Sequence, residues 1–153
     1  MKKISYLLIF FMLTGCGYEP IYSKKNSKDI LIKNYILEGD KNINKKLVSL
    51  LNLKNDNGQK LSSYNLILDS KKNIETAAKD SSGNISIYKT TISINFSLNS
   101  LDSGTKIFES KNFDASFSYN SIKNKFDLSQ YQKTIEQNLI ERLAEEILIY
   151  IKS

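Results

Sequence analysis

The stretch ISIYKTTISINFSLNS, residues 85–100, has the alternation that decides the fold. Apolar residues occupy every second position of its second half, which is the period of a strand with one buried face. In the first half of the stretch, Ile85 and Ile87 occupy the alternate positions that would face the other side of the strand. Because a one-residue slip turns a strand over, the pattern predicts a long strand with a β-bulge near residues 89–91. The in-phase residues are Ile92, Ile94, Phe96 and Leu98.

Turn signals flank this run on both sides. Residues 80–84, Asp-Ser-Ser-Gly-Asn, have the composition of a hairpin tip, and residues 102–104, Asp-Ser-Gly, predict the next turn. Before the tip, residues 64–79 open with Leu66 and Leu68 at alternate positions. A strand is also predicted from Lys106 onward. The sequence therefore predicts three long strands in succession, the last with alternating Phe113, Ala115, Phe117 and Tyr119.

A short strand and a helix are predicted ahead of these three strands. Residues 30–37, ILIKNYIL, are rich in β-branched and apolar side chains and predict the first strand. Asp40 is a candidate N-cap. One helical face then follows at steps of three and four, made of Ile43, Leu47, Leu50 and Leu51. Residues 55–58, Asn-Asp-Asn-Gly, end this helix.

A long amphipathic helix is predicted at the C-terminal end, reaching about residue 151. Its cap is either Asp127 with Gln130 or Ser129 with Gln132. Its stripe could face a core or a partner, and we expect the core, because such helices in single domains usually pack on their own sheet. The stripe is Leu128, Tyr131, Ile135, Leu139, Leu143, Ile147 and Ile151.

The element order β-α-β-β-β-α predicts an α+β fold in one domain, residues 30–153. Because a helix separates the first two strands, they can pair in parallel through a right-handed crossover. We therefore expect a two-layer sandwich, with two helices packed on one face of a four-stranded mixed sheet.

The composition excludes several kinds of site. The chain of 153 residues has no His and one Cys, so it has no Ser-His-Asp triad, Cys-His pair, ordinary zinc site or internal disulfide. We predict that the protein is not an enzyme and holds no metal and no cofactor other than a covalent lipid.

The net charge of +6 could favour an anionic partner or simply aid solubility, and we favour solubility. No nucleic-acid partner is expected.

The N-terminal segment predicts export. Lys2 and Lys3 precede an apolar run at residues 4–13, about half the roughly 20 residues that span a bilayer as a helix. A short basic start followed by a short apolar run is typical of a secretory signal.

The cysteine follows this run directly. Leu13-Thr14-Gly15-Cys16 resembles the bacterial lipobox, which implies cleavage between Gly15 and Cys16 and a diacylglycerol, with acyl chains such as palmitate, at Cys16. The alternative is an ordinary signal peptide with a chance cysteine. We predict a signal peptide at residues 1–15 and a lipidated tether at residues 16–29. By resemblance to enterobacterial lipoproteins, Gly17 in place of an Asp favours the outer membrane.

The residues after the lipobox extend this resemblance to a family. Residues 16–22, CGYEPIY, resemble the CGF-x-P-L-Y start of the lipopolysaccharide-assembly lipoprotein LptE, particularly its alphaproteobacterial members. The rest of the chain is similar in order, through YNLIL, SSGN, TTISINFSL, LDSGTKIFES and FSYN. The likeness covers nearly the whole chain, and its motifs are short.

The resemblance implies a function without catalysis. LptE-like proteins plug the lumen of the outer-membrane β-barrel LptD and bind lipopolysaccharide during its assembly into the outer leaflet. In the family, basic residues near the hairpin between the second and third strands and in the loop before the last helix contact lipopolysaccharide. Here Ser81 stands at the tip where a cation would be expected, so Lys79, Lys123 and Lys125 become the candidate lipopolysaccharide-binding residues. The alternative is another outer-membrane assembly or pilotin-type lipoprotein with no lipopolysaccharide role.

Overall fold

The computed structural model describes residues 30–55, 63–100 and 110–152. The predicted signal peptide, the lipidated tether and the turn at residues 102–104 lie outside this range. The elements follow the predicted order, with one short strand added. They are β1 Leu31–Gly39, α1 Lys41–Leu51, β2 Lys54–Asn55, β3 Ser63–Lys79, β4 Ile85–Ser100, β5 Lys111–Asn120 and α2 Lys125–Lys152.

The sheet is mixed and has the order β2-β1-β3-β4-β5. Strand β1 runs parallel to β2 and β3, whereas β3, β4 and β5 pair in antiparallel fashion. The predicted α+β sandwich with two helices is therefore confirmed, and so is the parallel pairing across α1. The sheet has five strands instead of four. The extra strand, β2, pairs only two residues with β1, which is too short to leave an alternating pattern in the sequence.

The predicted β-bulge near residues 89–91 is wrong. The β3–β4 ladder is unbroken from Tyr64–Ser100 to Thr76–Tyr88, and the β4–β5 ladder has no register shift. The side chains of β4 that face the core continue in regular alternation through Thr90. Thr90 is buried, and its hydroxyl lies 3.1 Å from the Tyr119 hydroxyl, within hydrogen-bonding distance. A satisfied hydroxyl can enter a core at little cost, which a count of apolar residues misses. The register shifts of β3 lie instead between residues 76 and 79.

One core lies between the helices and the inner face of the sheet. The stripe of α2 packs into this core, as predicted, although Tyr131 remains 40% exposed. Phe117, in the predicted inward phase of β5, is 48% exposed. The most deeply buried large side chains include Ile32, Ile43, Leu47, Leu66, Leu68, Ile92, Ile94, Phe96, Ile140, Leu143 and Ile147.

The helix caps differ in how well the sequence predicts them. The Asp40 carboxylate accepts hydrogen bonds from the backbone N–H groups of Asn42 and Ile43 at 2.9 and 3.2 Å, so the predicted cap of α1 is confirmed. Both predicted caps of α2 are wrong. The helix begins at Lys125, and the Asn124 side chain accepts from Phe126 N at 2.9 Å. The Phe126 side chain in the first turn is 68% exposed, so this turn does not belong to the buried stripe of α2. The stripe therefore could not show where the helix begins.

A tight corner joins β1 to α1 against β3. Gly39 has a φ of +77°, and a Cβ placed there would lie 2.0 Å from the Ser70 carbonyl oxygen. Asp40 N donates to this same oxygen at 2.9 Å, and the buried Ser70 hydroxyl donates to Asp40 O at 3.1 Å. Both the backbone conformation and the close approach therefore require a glycine at position 39.

We predict that Gly39→Ala destabilises the domain by about 3 kcal/mol or more, because it adds a backbone clash to an unfavourable positive φ. Gly83→Ala is the matched control. Gly83 has a similar φ of +82°, but no atom lies within 4 Å of its added Cβ. The control should cost only about 1–2 kcal/mol, the price of the left-handed conformation alone. Urea unfolding followed by circular dichroism measures both values, and equal losses would contradict the clash.

Candidate functional site

The structure describes three of the four predicted site residues, and all three are exposed. Lys79 is the last residue of β3, Lys123 lies between β5 and α2, and Lys125 is the first residue of α2. Lys125 was predicted to lie in the loop and instead begins the helix. Cys16 lies outside the described residues.

The three lysines lie at the same end of the sheet. Lys79 pairs with Ile85 across the β3–β4 hairpin, and Ser121 N donates to Ser86 O at 2.8 Å as the chain leaves β5. Both predicted regions therefore flank the first residues of β4. Since neighbouring strands lie about 4.8 Å apart, the backbones of β3 and β5 are separated by about 10 Å here. We call the group of Lys79, Lys123 and Lys125 the basic end.

The hairpin tip beside Lys79 is held by Asp80. Its carboxylate accepts hydrogen bonds from Ser82 N and Asn84 N, both at 2.9 Å, while Asp80 N donates to Asn84 O at 2.8 Å. The backbone hydrogen bond from Asn84 lowers the pKa of Asp80 below its usual value. Desolvation opposes this shift, and the hydrogen bonds from the Asn84 side chain and from Ser82 N add to it. The tip is thus a closed turn with its carboxylate turned back onto its own backbone.

A buried polar and aromatic cluster supports the other side of the basic end. The Tyr119 hydroxyl lies 3.1 Å from the Thr90 hydroxyl and accepts from the Gln132 side chain at 2.9 Å. The Tyr119 ring stacks on Tyr88 and meets Tyr131 edge-on, with centroids 5.8 and 5.7 Å apart. These contacts fix the first turns of α2 against β4 and β5, and so fix the connection that carries Lys123.

The electrostatics of the basic end are weakly positive. Among the described residues, none of its three lysines forms an ion pair, whereas Lys72 pairs with Glu136 at 2.8 Å. The N-terminus of α2 adds partial positive charge. Asp80 and Asp127 are the nearby carboxylates in sequence. The three exposed ammonium groups can therefore attract phosphate as flexible point charges.

A second surface feature lies between α2 and the edge strand β5. It is a groove of about 270 Å³, lined by Ser116, Phe117, Tyr131, Thr134, Ile135, Asn138, Leu139 and Arg142. Its walls contain the two side chains that the sequence predicted to be core and that remain exposed, Phe117 and Tyr131. No sequence pattern predicts this groove, because the alternation of apolar residues does not show that β5 ends the sheet.

Two other kinds of site are absent from residues 30–55, 63–100 and 110–152. There is no group of three or more His, Cys, Asp or Glu side chains arranged to hold a metal ion. Neither α1 nor α2 combines the length and hydropathy needed to cross a membrane.

The fold defines a class of small two-layer α+β domains, and solved structures of lipoproteins share it. Rare lipoprotein B from Shewanella oneidensis matches with a TM-score of 0.58 at 15% identity, over 78% of this chain and 93% of that chain. Lipoprotein B from Nitrosomonas europaea matches with a TM-score of 0.58 at 9% identity, over 84% and 88%. A minor lipoprotein from Acinetobacter baumannii matches with a TM-score of 0.53 at 17% identity, over 78% and 92%.

No protein-family model and no curated protein sequence matches the chain. At these low identities the structural likeness establishes the fold. The resemblance drawn from the sequence is confirmed at that level, because the structural neighbours are rare lipoprotein B and other minor lipoproteins.

We predict that the order of the hairpin tip depends on pH through Asp80. Because folding lowers the pKa of its carboxyl, the stabilisation is present above the ordinary Asp pKa of about 3.9 and is lost as pH falls through the lower folded value. The amide chemical shifts of Ser82 and Asn84 should therefore move together at acidic pH. In Asp80→Asn this coupled transition should disappear, and its persistence would show that another group controls the tip.

Proposed function

We propose that this protein is an outer-membrane lipoprotein that plugs and supports an LptD-like β-barrel and binds lipopolysaccharide during assembly into the outer leaflet. The observation that carries the proposal is the shared fold with rare lipoprotein B, in a chain whose N-terminal sequence resembles a lipobox at Cys16. The acyl chains on Cys16 anchor the protein, because each buried methylene contributes about 0.8 kcal/mol. The role needs no catalysis and no further cofactor.

The outer face of the sheet supports the role of a plug. The helices cover the inner face, and the outer face of β4 and β5 carries Thr91, Ser93 and Asn95 beside Asn112, Asp114 and Ser116. A barrel lumen is polar, so this part of the face suits contact with it. Ile36 and Ile67, which pair across β1 and β3, form an apolar part of the same face.

The basic end supports the role in lipopolysaccharide binding. Lipopolysaccharide carries phosphate groups, and three exposed ammonium groups without carboxylate partners can pair with them. The hairpin tip and the connection after β5 bring cations from distant parts of the sequence to one end of the domain. The domain thus presents its cations on a supported surface instead of a mobile tail.

The first experiment is purification of the tagged, lipidated protein from its own envelope in mild detergent. We expect a large β-barrel protein to co-purify in a near one-to-one ratio. Cys16→Ala should remove fatty-acid labelling and release the protein from the outer-membrane fraction, since the anchor is lost. If abundant, lipidated protein carries no barrel protein, the plug proposal fails, and the alternative of another assembly or pilotin-type lipoprotein takes its place.

The basic end makes a separate prediction about lipopolysaccharide. Lys123→Glu combined with Lys125→Glu should weaken binding about tenfold, since each exposed charge pair contributes up to about 1 kcal/mol. Lys79→Glu should add to the loss, and salt should weaken binding of the unmodified protein. The matched control is Lys45→Glu with Lys133→Glu, two exposed lysines on α1 and α2 with the same change in charge. Both double variants are measured with purified lipopolysaccharide. Equal losses of binding would show that net charge alone explains the effect, and would contradict a specific role for the basic end.

A further inference from the structure

Strand β5 is a long, regular edge of the sheet. Within the described part of the chain it pairs on one side only, with β4, over the ten residues Lys111–Asn120 and without a register shift. At about 3.4 Å per residue this edge is roughly 34 Å long. Such an edge presents unpaired backbone N–H and C=O groups to any strand that approaches it.

The other edges of the sheet carry features that discourage pairing. Strand β2 is only two residues long. Strand β3 extends past the end of β1 at Gly39–Ser70, but its free part contains the inward-facing Lys72, which is paired with Glu136, and register shifts at residues 76–79. Short strands, inward charges and bulges are the devices by which edges avoid other strands. In β5, by contrast, residues 115–120 carry no charge and continue in regular register.

The groove defined above runs beside this edge. Phe117 forms its strand wall, and Tyr131 with Ile135 and Leu139 forms part of its helix wall. A strand added to β5 would direct every second side chain toward α2 and into this groove. The groove would therefore select apolar residues at alternate positions, while the backbone of β5 would supply hydrogen bonds.

The charges around the edge indicate what should flank such a segment. Lys111 lies at the beginning of β5, with its ammonium 4.3 Å from the centroid of the Tyr150 ring, and Lys123 and Lys125 lie beyond its end. Asp114 is the only acidic residue of the strand. The guanidinium of Arg142 in the groove is paired with Glu146 at 3.0 Å. Cations at both ends of an uncharged central stretch favour a segment with acidic residues on both sides of its apolar positions.

We propose that β5 binds an extended segment of a partner protein as a sixth strand of the sheet. The segment has apolar residues at alternate positions, which enter the groove between β5 and α2, and acidic residues at its ends. The partner is the β-barrel protein of the proposed function, on which this inference rests. The segment is a stretch of its chain that is not already paired within the barrel, since a closed barrel has no free edge.

The test places a photoreactive phenylalanine analogue at position 117 or at position 74 of the full-length lipidated protein, in its own envelope. Ile74 is a matched control because Ile74, Thr90 and Phe117 form one row across the sheet on its helix-facing side. Ile74 is 41% exposed and Phe117 48%, so the two sites are equally accessible. Irradiation is followed by mass spectrometry of the linked peptides.

We expect position 117 to link to one segment of the barrel protein with alternating apolar residues, and position 74 to give no such link. Equal labelling from both positions, or from neither, while the barrel still co-purifies would overturn the inference and leave the proposed function standing. Linkage from position 117 to a second copy of this chain or to lipid would overturn it as well, because a different molecule would then occupy the edge of β5. Absence of any co-purifying barrel would overturn the proposed function and this inference with it.

A second variant tests the groove itself. Phe117→Lys places a charge at the strand wall, and Ile74→Lys makes the same change at the control edge. Because both side chains are substantially exposed, we expect both variants to keep the circular dichroism spectrum of the unmodified protein. Phe117→Lys should lower the yield of barrel protein, and Ile74→Lys should not. Equal yields from the two folded variants would overturn the inference.

Discussion

The antiparallel ladder between β3 and β4 is the constraint on which the rest of the structure depends. It runs from the Tyr64–Ser100 pair to the Lys79–Ile85 pair and forms the centre of the sheet. Strand β1 pairs along one side of it and β5 along the other, so both inherit their register from this hairpin. Because side chains alternate strictly, the register also decides which face is buried under the helices. A slip here would turn the apolar phase of β4 toward solvent.

The strong features of the sequence were enough to predict this framework. The alternation of Ile92 to Leu98 and the turn residues at 80–84 determined the hairpin, and the spacing from Ile43 to Leu51 determined α1. The details that failed depend on which partner each polar group finds among several that the sequence offers. The buried Thr90 hydroxyl lies beside the hydroxyl of Tyr119, 29 residues away, and α2 begins at Lys125 after Asn124, one of several polar residues in that stretch that could cap it. Such partners are visible only after the chain has folded.

The candidate sites, too, could be predicted only in part. The chemical identity of Lys79, Lys123 and Lys125 could be read from the sequence, with the family resemblance showing which lysines to consider. Their placement at one end of the sheet follows from the register of the hairpin and from the hydrogen bond of Ser121 to Ser86. The groove could not be predicted, because the patterns of β5 and α2 are those of core elements. Phe117 and Tyr131 are exposed only because no described strand lies beyond β5.

The arrangement of the two layers limits how a partner can approach. The helices occupy the inner face and bury the core, which leaves the outer face, the ends of the strands and the edge of β5 as the surfaces that the sheet offers to a partner. These three surfaces differ in physical character. The outer face offers many weak polar contacts, the basic end offers flexible charges, and the β5 edge offers backbone hydrogen bonds beside an apolar groove. Because the three surfaces use different kinds of contact, we expect binding at one of them to leave the groups that serve the other two available.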